Sequence, residues 1–342
     1  MRNTPPGPRS HIKRPVPVRP GEGIYVTINF LYDLTFCVDW RLGAMRSGVL
    51  TLITAFLLTL AAGASYQDPA SDPHGDPPLN HQLFDRVIEN QKKNDHALDL
   101  YERVERVELR RLSGESQSTD VKISRVVPAG TGMDHLTLGP DLKPKDAAAY
   151  RVELEKLEKA LSWAAESGRG QKDAYDKIAR KKKERDDLIG AAKNAFIFTF
   201  LARESRDSRT LLKYSMVPNP AFHPTSRATS IYTRVKGTLW IDEASAEMAR
   251  LEGEVTDDIS VGTFLAKVYK GSHFMQERYE MVPGLWLPTF SQYDFDGRRL
   301  FVGFSLHERT FYSQYRYIGP PKDALMAIRA ELSGYRAPPA NP

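Results

Sequence analysis

The chain has 342 residues and a formal net charge of +5, from 48 Lys and Arg against 43 Asp and Glu. Residues 1–44 contribute +3 of this charge and Arg46 a further +1, which leaves +1 on residues 65–342. The basic charge therefore belongs mainly to the N-terminus and does not indicate a nucleic-acid-binding protein. The one cysteine, Cys37, lies in the same segment, so residues 65–342 have no thiol for a disulfide, a metal or a nucleophile.

Residues 45–64 have the pattern of a secretory signal peptide. Arg46 precedes an apolar run over residues 49–62, and Ala62-Gly63-Ala64 forms a small-residue cleavage site. The run is shorter than the roughly 20 residues that a membrane-spanning helix needs. We expect export to the periplasm with cleavage after Ala64, and an inner-membrane signal anchor is the alternative.

The segments on either side of the signal are predicted to lie outside the folded domain. Residues 1–44 precede Met45, where a signal peptide would normally begin, and they are interpreted as an over-extended start or a disordered tail. Residues 65–79 are rich in Pro and Asp, which is typical of a linker. The domain is predicted over residues 80–318 and is followed by a C-terminal tail at 319–342.

The first part of this domain alternates between helices and strands. Apolar spacing predicts an amphipathic helix over residues 80–98, and strands follow at 101–112 and 121–127. Residues 131–145 are interpreted as a loop. Asp146 is then expected to cap a helix whose apolar positions are Tyr150, Leu154, Leu157 and Leu161.

A second, highly charged helix is predicted after a glycine-containing break, and it ends near Lys193. Together the two helices form a charged helical-hairpin insertion at 146–193. The run Lys181–Asp187 has no apolar member, which indicates either a solvated helix face or a docking surface for an anionic partner.

After Asn194 the chain is rich in strands. Its central hairpin has the strand Thr238–Ile241, the turn Asp242–Ser245 and an alternating strand that ends at Val255. Further strands are expected at 195–201, 211–217, 264–281, 285–295 and 300–317. We predict an α+β fold, in which helices cover a curved antiparallel sheet or open β-barrel.

The chain carries none of the common catalytic motifs in residues 65–342, and neither a cofactor nor a metal is predicted. Asp294-Phe295-Asp296-Gly297 is interpreted as a turn between two strands. A hydrolase that uses Asp294, Asp296 or His307 is the enzymatic alternative.

Aromatic side chains on the predicted strands are the candidate ligand-binding residues. In a curved sheet they would line a hydrophobic cavity, although they could equally fill the core between sheet and helices. The candidates are Trp240, Phe264, Phe274, Tyr279, Trp286, Phe304 and Tyr315.

Three short segments are similar to motifs of one family. They are Gly237-Thr238-Leu239-Trp240-Ile241-Asp242, Arg250-Leu251-Glu252-Gly253-Glu254 and Gly284-Leu285-Trp286-Leu287-Pro288. With the export signal and the element order, they resemble the outer-membrane lipoprotein-sorting (LolA/LolB-like) superfamily. The resemblance covers residues 80–318 and implies an open barrel with a cavity for acyl chains. The charged insertion departs from the small lipoprotein carriers.

Two functions follow as hypotheses. The first is periplasmic, non-enzymatic binding of an acyl chain, lipid or lipoprotein on the concave face of the sheet, in outer-membrane lipoprotein sorting. The second is an envelope structural or interaction module that docks a protein partner through the helical insertion.

Overall fold

The computed structural model describes residues 81–113, 116–226, 228–261, 266–299 and 302–334. The predicted signal peptide at 45–64, the segment 1–44 and the linker at 65–79 lie outside the described residues. The candidate ligand-binding residue Phe264 also lies outside them.

Four α-helices and twelve strands lie within the described ranges. The helices are α1 (His81–Leu98), α2 (Ala147–Glu166), α3 (Gly168–Ala195) and α4 (Pro321–Gly334), with a 3-10 helix at Thr229–Arg234. The strands are β1 (Tyr101–Ser113), β2 (Ser116–Pro128), β3 (Met133–Leu138), β4 (Phe196–Arg206), β5 (Arg209–Pro218), β6 (Val235–Asp242), β7 (Glu247–Val255), β8 (Ile259–Val261), β9 (Ala266–Val268), β10 (His273–Val282), β11 (Leu285–Arg299) and β12 (Val302–Tyr317).

The strands form one antiparallel sheet in the order β3-β2-β1-β12-β11-β10-β7-β6-β5-β4, and β8 and β9 add to β11. Among the described residues, β3 pairs only with β2 and β4 only with β5, so the two edges of the sheet do not join. The predicted α+β class, with a curved open sheet covered by helices, is confirmed. In the described part of the chain, no helix is long and apolar enough to cross a membrane.

Helices pack on both faces of this sheet. We call the face that contacts α1 and α3 the inner face, and the opposite one the outer face. The inner-face core joins Phe84 of α1 and Ile189 of α3 to strand residues such as Leu239, and all three are almost fully buried. A second core lies on the outer face of β1–β3, where Leu154 and Leu157 of α2 pack with Ile328 of α4.

The helical insertion begins as the sequence predicted. The Asp146 carboxylate accepts hydrogen bonds from the backbone N–H groups of Ala148 (2.8 Å) and Ala149 (3.0 Å), which satisfies two free donors of the first turn. The four apolar positions assigned to this helix are all buried, and they are Tyr150, Leu154, Leu157 and Leu161. Because α2 packs on the outer face and α3 on the inner face, the insertion contributes to both cores.

Three sequence expectations need correction. The predicted loop at 131–145 contains strand β3. Apolar and polar residues alternate only weakly there, but the segment forms a strand because it hydrogen-bonds to β2. The predicted tail at 319–342 contains α4, which packs its apolar positions against α2. The segment Asp294–Gly297 lies inside strand β11, because its pairing with β12 runs from Phe290 to Arg299 without a turn.

Candidate functional site

The inner face divides into two regions of different chemistry. Directly opposite residues on neighbouring strands point to the same face of a sheet. The strand pairing therefore shows which residues belong to the inner face. The apolar half lies on β4–β7 and consists of Phe198, Leu212, Tyr214, Leu239, Ile241 and Leu251. The polar half lies on β1 and β10–β12 and consists of Arg103, Glu105, Gln276, Ser291, Tyr293, Glu308, Tyr312 and Tyr315.

The apolar half is filled by helices. The ring of Phe84 from α1 lies 5.0 Å from the Phe198 ring and 5.2 Å from the Tyr214 ring. Ile189 of α3 is buried in the same core, and Leu212 and Leu239 are at most 2 % exposed. An apolar ligand could enter this half only by displacing a helix.

The polar half is built around an ion pair on one strand. Arg103 and Glu105 are two residues apart on β1, so both side chains point inward. The Glu105 Oε1 atom accepts hydrogen bonds from Arg103 Nε at 2.7 Å and from Nη2 at 2.6 Å. The Arg103 side chain is 10 % exposed, and its buried Nη1 atom has no hydrogen-bond partner among the described residues.

Three tyrosines line the same half. The Arg103 guanidinium lies 6.0 Å from the ring centre of Tyr312, and Tyr315 donates a hydrogen bond to the Pro288 carbonyl at 2.7 Å. Burial raises the pKa of Tyr293, Tyr312 and Tyr315, so their hydroxyls stay protonated. Although these tyrosines are deeply embedded, each keeps partial solvent accessibility. The three tyrosines therefore form a partly exposed surface on the inner face of the sheet.

Glu308 lies beside Tyr293 on the neighbouring strand. Burial raises the pKa of its carboxyl to about 7, although a hydrogen bond from Thr310 lowers it and Glu105 adds to the rise. The polar half therefore has one carboxylate held by an arginine and one that is largely protonated below neutral pH.

The C-terminal part of α1 closes one side of the polar half through buried polar contacts. Arg278 Nη2 and Asp95 Oδ1 form an ion pair of 2.8 Å in which both side chains are at most 5 % exposed. Asn94 donates to Glu247 at 2.7 Å and accepts from the Trp286 backbone N–H at 3.2 Å. These contacts fix α1 to β7, β10 and β11.

The structure does not bring the candidate aromatic residues that it describes into one cavity. Phe274 and Phe304 both point to the inner face, where each ring lies over a glycine of the neighbouring strand. A Cβ at Gly253 would be 2.1 Å from the Phe274 ring, and one at Gly297 would be 2.5 Å from the Phe304 ring. The two glycines thus let the rings lie flat on the sheet, so both rings take part in packing.

The other candidates lie in three places. Trp240 is on the outer face, where it contacts Lys213 and Arg250 and donates its indole N–H to Glu204 at 2.8 Å. Tyr279 and Trp286 line a depression of about 240 Å³ beneath the guanidinium of Arg209. Tyr315 is the candidate that belongs to the polar half. Their role in binding stays a prediction.

The residues of the hydrolase alternative come together on the outer face of β11 and β12. His307 Nδ1 lies 2.8 Å from Asp294 Oδ1, and His307 Nε2 lies 3.1 Å from Ser305 Oγ. Ser305 donates its single proton to Asp296 Oδ1 at 2.6 Å. The serine oxygen can then only accept from His307, which is the reverse of the contact that activates a nucleophilic serine.

Charged side chains line a larger depression on the outer face, of about 570 Å³, which includes Asp294 and His273. Within the described ranges, no group of three or more His, Cys, Asp or Glu side chains is placed to hold a metal.

Sequence reasoning missed the residues that distinguish the polar half. Arg103, Glu105, Gln276 and Tyr312 have the residue types of a solvated strand face, and only the strand pairing assigns them to the inner face. One signal was present, because β1 carries charged residues on both of its faces although it is not an edge strand. Such a strand indicates a polar interior.

The chain matches no protein-family model and no curated protein. Three solved structures are similar to it. A protein domain described as outer membrane lipoprotein-sorting from Vibrio parahaemolyticus has 11% identity over 68% of this chain and 92% of its own, with a TM-score of 0.27. A LolA superfamily protein from Nitrosomonas europaea has 13% identity over 71% and 96%, with a TM-score of 0.26. A DUF1329 family protein from Desulfovibrio piger has 10% identity over 69% and 92%, also with a TM-score of 0.26.

Proposed function

We propose that this protein is a non-enzymatic envelope protein that binds the acyl chain of a lipid or lipoprotein on the inner face of its sheet. The observation that carries the proposal is the partly exposed surface that Tyr293, Tyr312, Tyr315 and Arg103 form on the inner face of the sheet. This surface continues into the apolar residues Phe304 and Leu109, which pack at the margin of the inner core. Each buried CH₂ of a chain contributes about 0.8 kcal/mol, so affinity needs no catalytic group.

Two features of the sequence agree with this proposal. The predicted signal peptide at 45–64 would place the protein in the periplasm, where acyl chains need a carrier to cross water. The motifs at Gly237–Asp242 and Arg250–Glu254 resemble a superfamily of lipoprotein carriers. We include outer-membrane lipoprotein sorting in the proposal on that resemblance.

Native mass spectrometry of the protein purified from a bacterial periplasm tests the proposal. We expect extra mass that dissociates on denaturation as a fatty acid or phospholipid. A clean ligand-free mass, together with no response to an added fluorescent fatty acid, would contradict it.

A pair of variants on one strand locates the site. Val107→Trp places a ring on the partly accessible inner face of β1 and should displace the chain, because it fills the space beside Thr310. Arg106→Trp adds the same ring to the exposed outer face and should leave binding unchanged. Equal loss in both variants would show that the chain does not bind on the inner face.

The second candidate function is an interaction module, and one observation favours it. Tyr175 is 73% exposed and Trp163 is 42% exposed near the turn between α2 and α3, close to the basic run that begins at Lys181. Tyr and Trp are enriched at protein–protein interfaces, so an exposed pair of them favours a docking surface. We expect Tyr175→Ser combined with Trp163→Ser to abolish capture of an envelope partner by crosslinking but to keep lipid binding. If lipid binding falls and capture persists, this candidate is wrong.

A further inference from the structure

Helix α3 concentrates the positive charge of residues 65–342. The helix contains nine Lys and Arg and five Asp and Glu, a net charge of +4, whereas residues 65–342 as a whole carry +1. The remainder of that range therefore carries −3. Residues 168–183 hold seven of the nine basic residues and two of the five acidic ones. This separation of charge predicts that the first half of α3 attracts anions more strongly than the rest of the surface does.

The basic residues of this half are crowded. Lys177 and Lys181 are four residues apart, so their side chains are neighbours on the helix. Burial and the charge of Arg180 lower the pKa of Lys177, and burial and the charge of Lys177 lower the pKa of Lys181. Asp99 opposes the second shift, but its Oδ1 atom already accepts a hydrogen bond from Arg185 Nη1 at 3.2 Å. An anionic surface beside the helix would reduce this repulsion between cations.

One side of the same helix exposes basic and apolar side chains together. Tyr175, Ile178 and Lys182 follow one another at three- and four-residue steps, so they lie in one row. Lys172 lies three residues before Tyr175 and extends the row towards the N-terminus of α3. All four residues are exposed, Tyr175 to 73% and Ile178 to 37%. We call these four residues the α3 row.

Two carboxylates border the α3 row without cancelling its charge. Asp176 is four residues after Lys172, and Asp186 is four residues after Lys182. The Asp186 Oδ1 atom lies 3.0 Å from His96 Nε2 of α1, so this carboxylate already has a partner. The first half of α3 keeps its excess of five basic residues over acidic ones.

The surface of an anionic bilayer has the chemistry that fits this row. A tyrosine ring is favoured at the boundary between water and an apolar phase, and lysine stems cover apolar surface while their ammonium groups stay in water. A bilayer attracts such residues by charge density and needs no shape-matched pocket. From Lys172 to Lys182 the row extends over about 15 Å of helix, so its members can meet one flat surface together.

We infer that the α3 row, which consists of Lys172, Tyr175, Ile178 and Lys182, docks the protein on the surface of a bilayer that contains anionic phospholipid. The docking is peripheral, through charges and two apolar side chains. It goes beyond acyl-chain binding and does not depend on it, because the row lies on the exposed side of α3 and not on the inner face of the sheet.

Vesicle co-sedimentation tests the docking. Protein purified from a bacterial periplasm is mixed with vesicles of phosphatidylcholine alone, or of equal parts of phosphatidylcholine and phosphatidylglycerol. We expect binding to the mixed vesicles only. Sodium chloride at about 0.5 M should release the protein, because salt screens charges that are exposed to solvent.

Two matched pairs of lysine variants locate the contact. Lys172→Gln with Lys182→Gln should weaken binding to the mixed vesicles about tenfold or more, because each lysine near an anionic bilayer contributes about a factor of five. Lys145→Gln with Lys322→Gln removes two exposed lysines that lie outside α3. That control should keep the affinity within about twofold, because the attraction falls off within a Debye length.

A pair of tyrosine variants tests the apolar part of the row. Tyr175→Ser should weaken binding to the mixed vesicles about threefold or more, because its ring leaves water in the docked state. Tyr317→Ser makes the same change at a tyrosine of β12 that is 58% exposed, and it should leave binding unchanged. Circular dichroism confirms that the variants fold, and displacement of a fluorescent fatty acid by oleate measures acyl-chain binding on the same samples.

The outcomes separate membrane docking from the other functions. Equal binding to neutral and mixed vesicles, or an equal loss in the two lysine pairs, overturns the docking surface. Absence of vesicle binding by the wild type also overturns it, and capture of an envelope protein through the α3 row would then assign this surface to the second candidate function. Oleate displacement without vesicle binding leaves the proposed function standing, whereas vesicle binding without oleate displacement contradicts the proposed function alone.

Discussion

The apolar and polar halves of the inner face belong to one sheet but differ in how their side chains are packed and hydrogen-bonded. The apolar half is occupied by α1 and α3, so its side chains have no space left for a ligand. The polar half has charged and hydroxyl groups at comparable depth, but some of their hydrogen-bonding atoms lack partners. One sheet therefore carries a tightly packed apolar region and a polar region side by side.

The difference also shows which contacts hold α1 in place. Its N-terminal part carries Phe84 into the apolar half, whereas its C-terminal part carries Asn94 and Asp95 to the edge of the polar half. The same helix thus stabilises the first region and borders the second.

The largest expected effect is a loss of stability when the packing of the apolar half is disrupted. Phe84→Ala should lower the free energy of unfolding by about 3–5 kcal/mol, because it leaves a cavity against Phe198 and Tyr214. Urea denaturation measures this, with Tyr175→Ala at an exposed position as a control expected to change by less than about 0.5 kcal/mol. A loss below about 1 kcal/mol would mean that α1 does not complete the core in solution.

The ion pair between α1 and β10 tests the boundary between the two halves. Asp95→Leu alone should cost about 3 kcal/mol in unfolding free energy, because it leaves the Arg278 guanidinium buried without its carboxylate. Asp95→Leu combined with Arg278→Met should recover most of this loss, since no unpaired charge remains. A double variant as unstable as the single one would show that the two charges do not interact in solution.

A pH titration tests the burial of the polar half. The Glu308 carboxyl has a folded-state pKa of about 7, raised from 4.5, so its protonated form binds its proton more tightly in the folded protein. The stability it contributes is fully present below pH 4.5 and is lost as the pH rises through 7. Glu308→Gln should therefore remove roughly 3 kcal/mol of the pH dependence between these limits.

The control for this titration is Glu108→Gln, which makes the same substitution on the outer face of the neighbouring strand β1. Glu247, whose pKa burial also raises to about 7, titrates equally in wild type and variants and cancels in the comparison. Parallel curves for wild type and Glu308→Gln would contradict the enclosure of this carboxyl.

The smallest expected effect concerns the outer face. Trp240→Phe should leave oleate affinity unchanged and lower stability by about 0.5–1.5 kcal/mol, because it removes the indole N–H bond to Glu204. Ligand displacement and urea denaturation on the same sample measure both quantities. A clear loss of oleate affinity would indicate that the ligand binds on the outer face.

The sequence was informative where the two faces of an element differ. The apolar spacing at Tyr150, Leu154, Leu157 and Leu161 predicted α2, and the alternation through Leu251 to Val255 predicted β7. These elements bury one face in a core, so the spacing of their apolar residues predicts which face is buried.

Elements with charge on both faces gave no such signal. On β1, Glu105 points to the inner face and Arg106 to the outer one, and nothing in the residue types separates them. Asp294-Phe295-Asp296-Gly297 has the composition of a turn, but the pairing of β11 with β12 extends the strand through it, and Gly297 makes room for Phe304. Long-range pairing decided both cases, and a local pattern does not contain it.

The helical insertion connects β3 to β4, which are the two edges of the open sheet. Its Glu153 accepts hydrogen bonds from the edge strand at Thr137, from the backbone N–H at 2.6 Å and from the hydroxyl at 2.8 Å. An unprotected edge is a template on which further strands add, and β4 also exposes Ile197 and Leu201. The helices therefore protect the edge strands and also form part of both cores. Loss of residues 146–193 would favour self-association into aggregates.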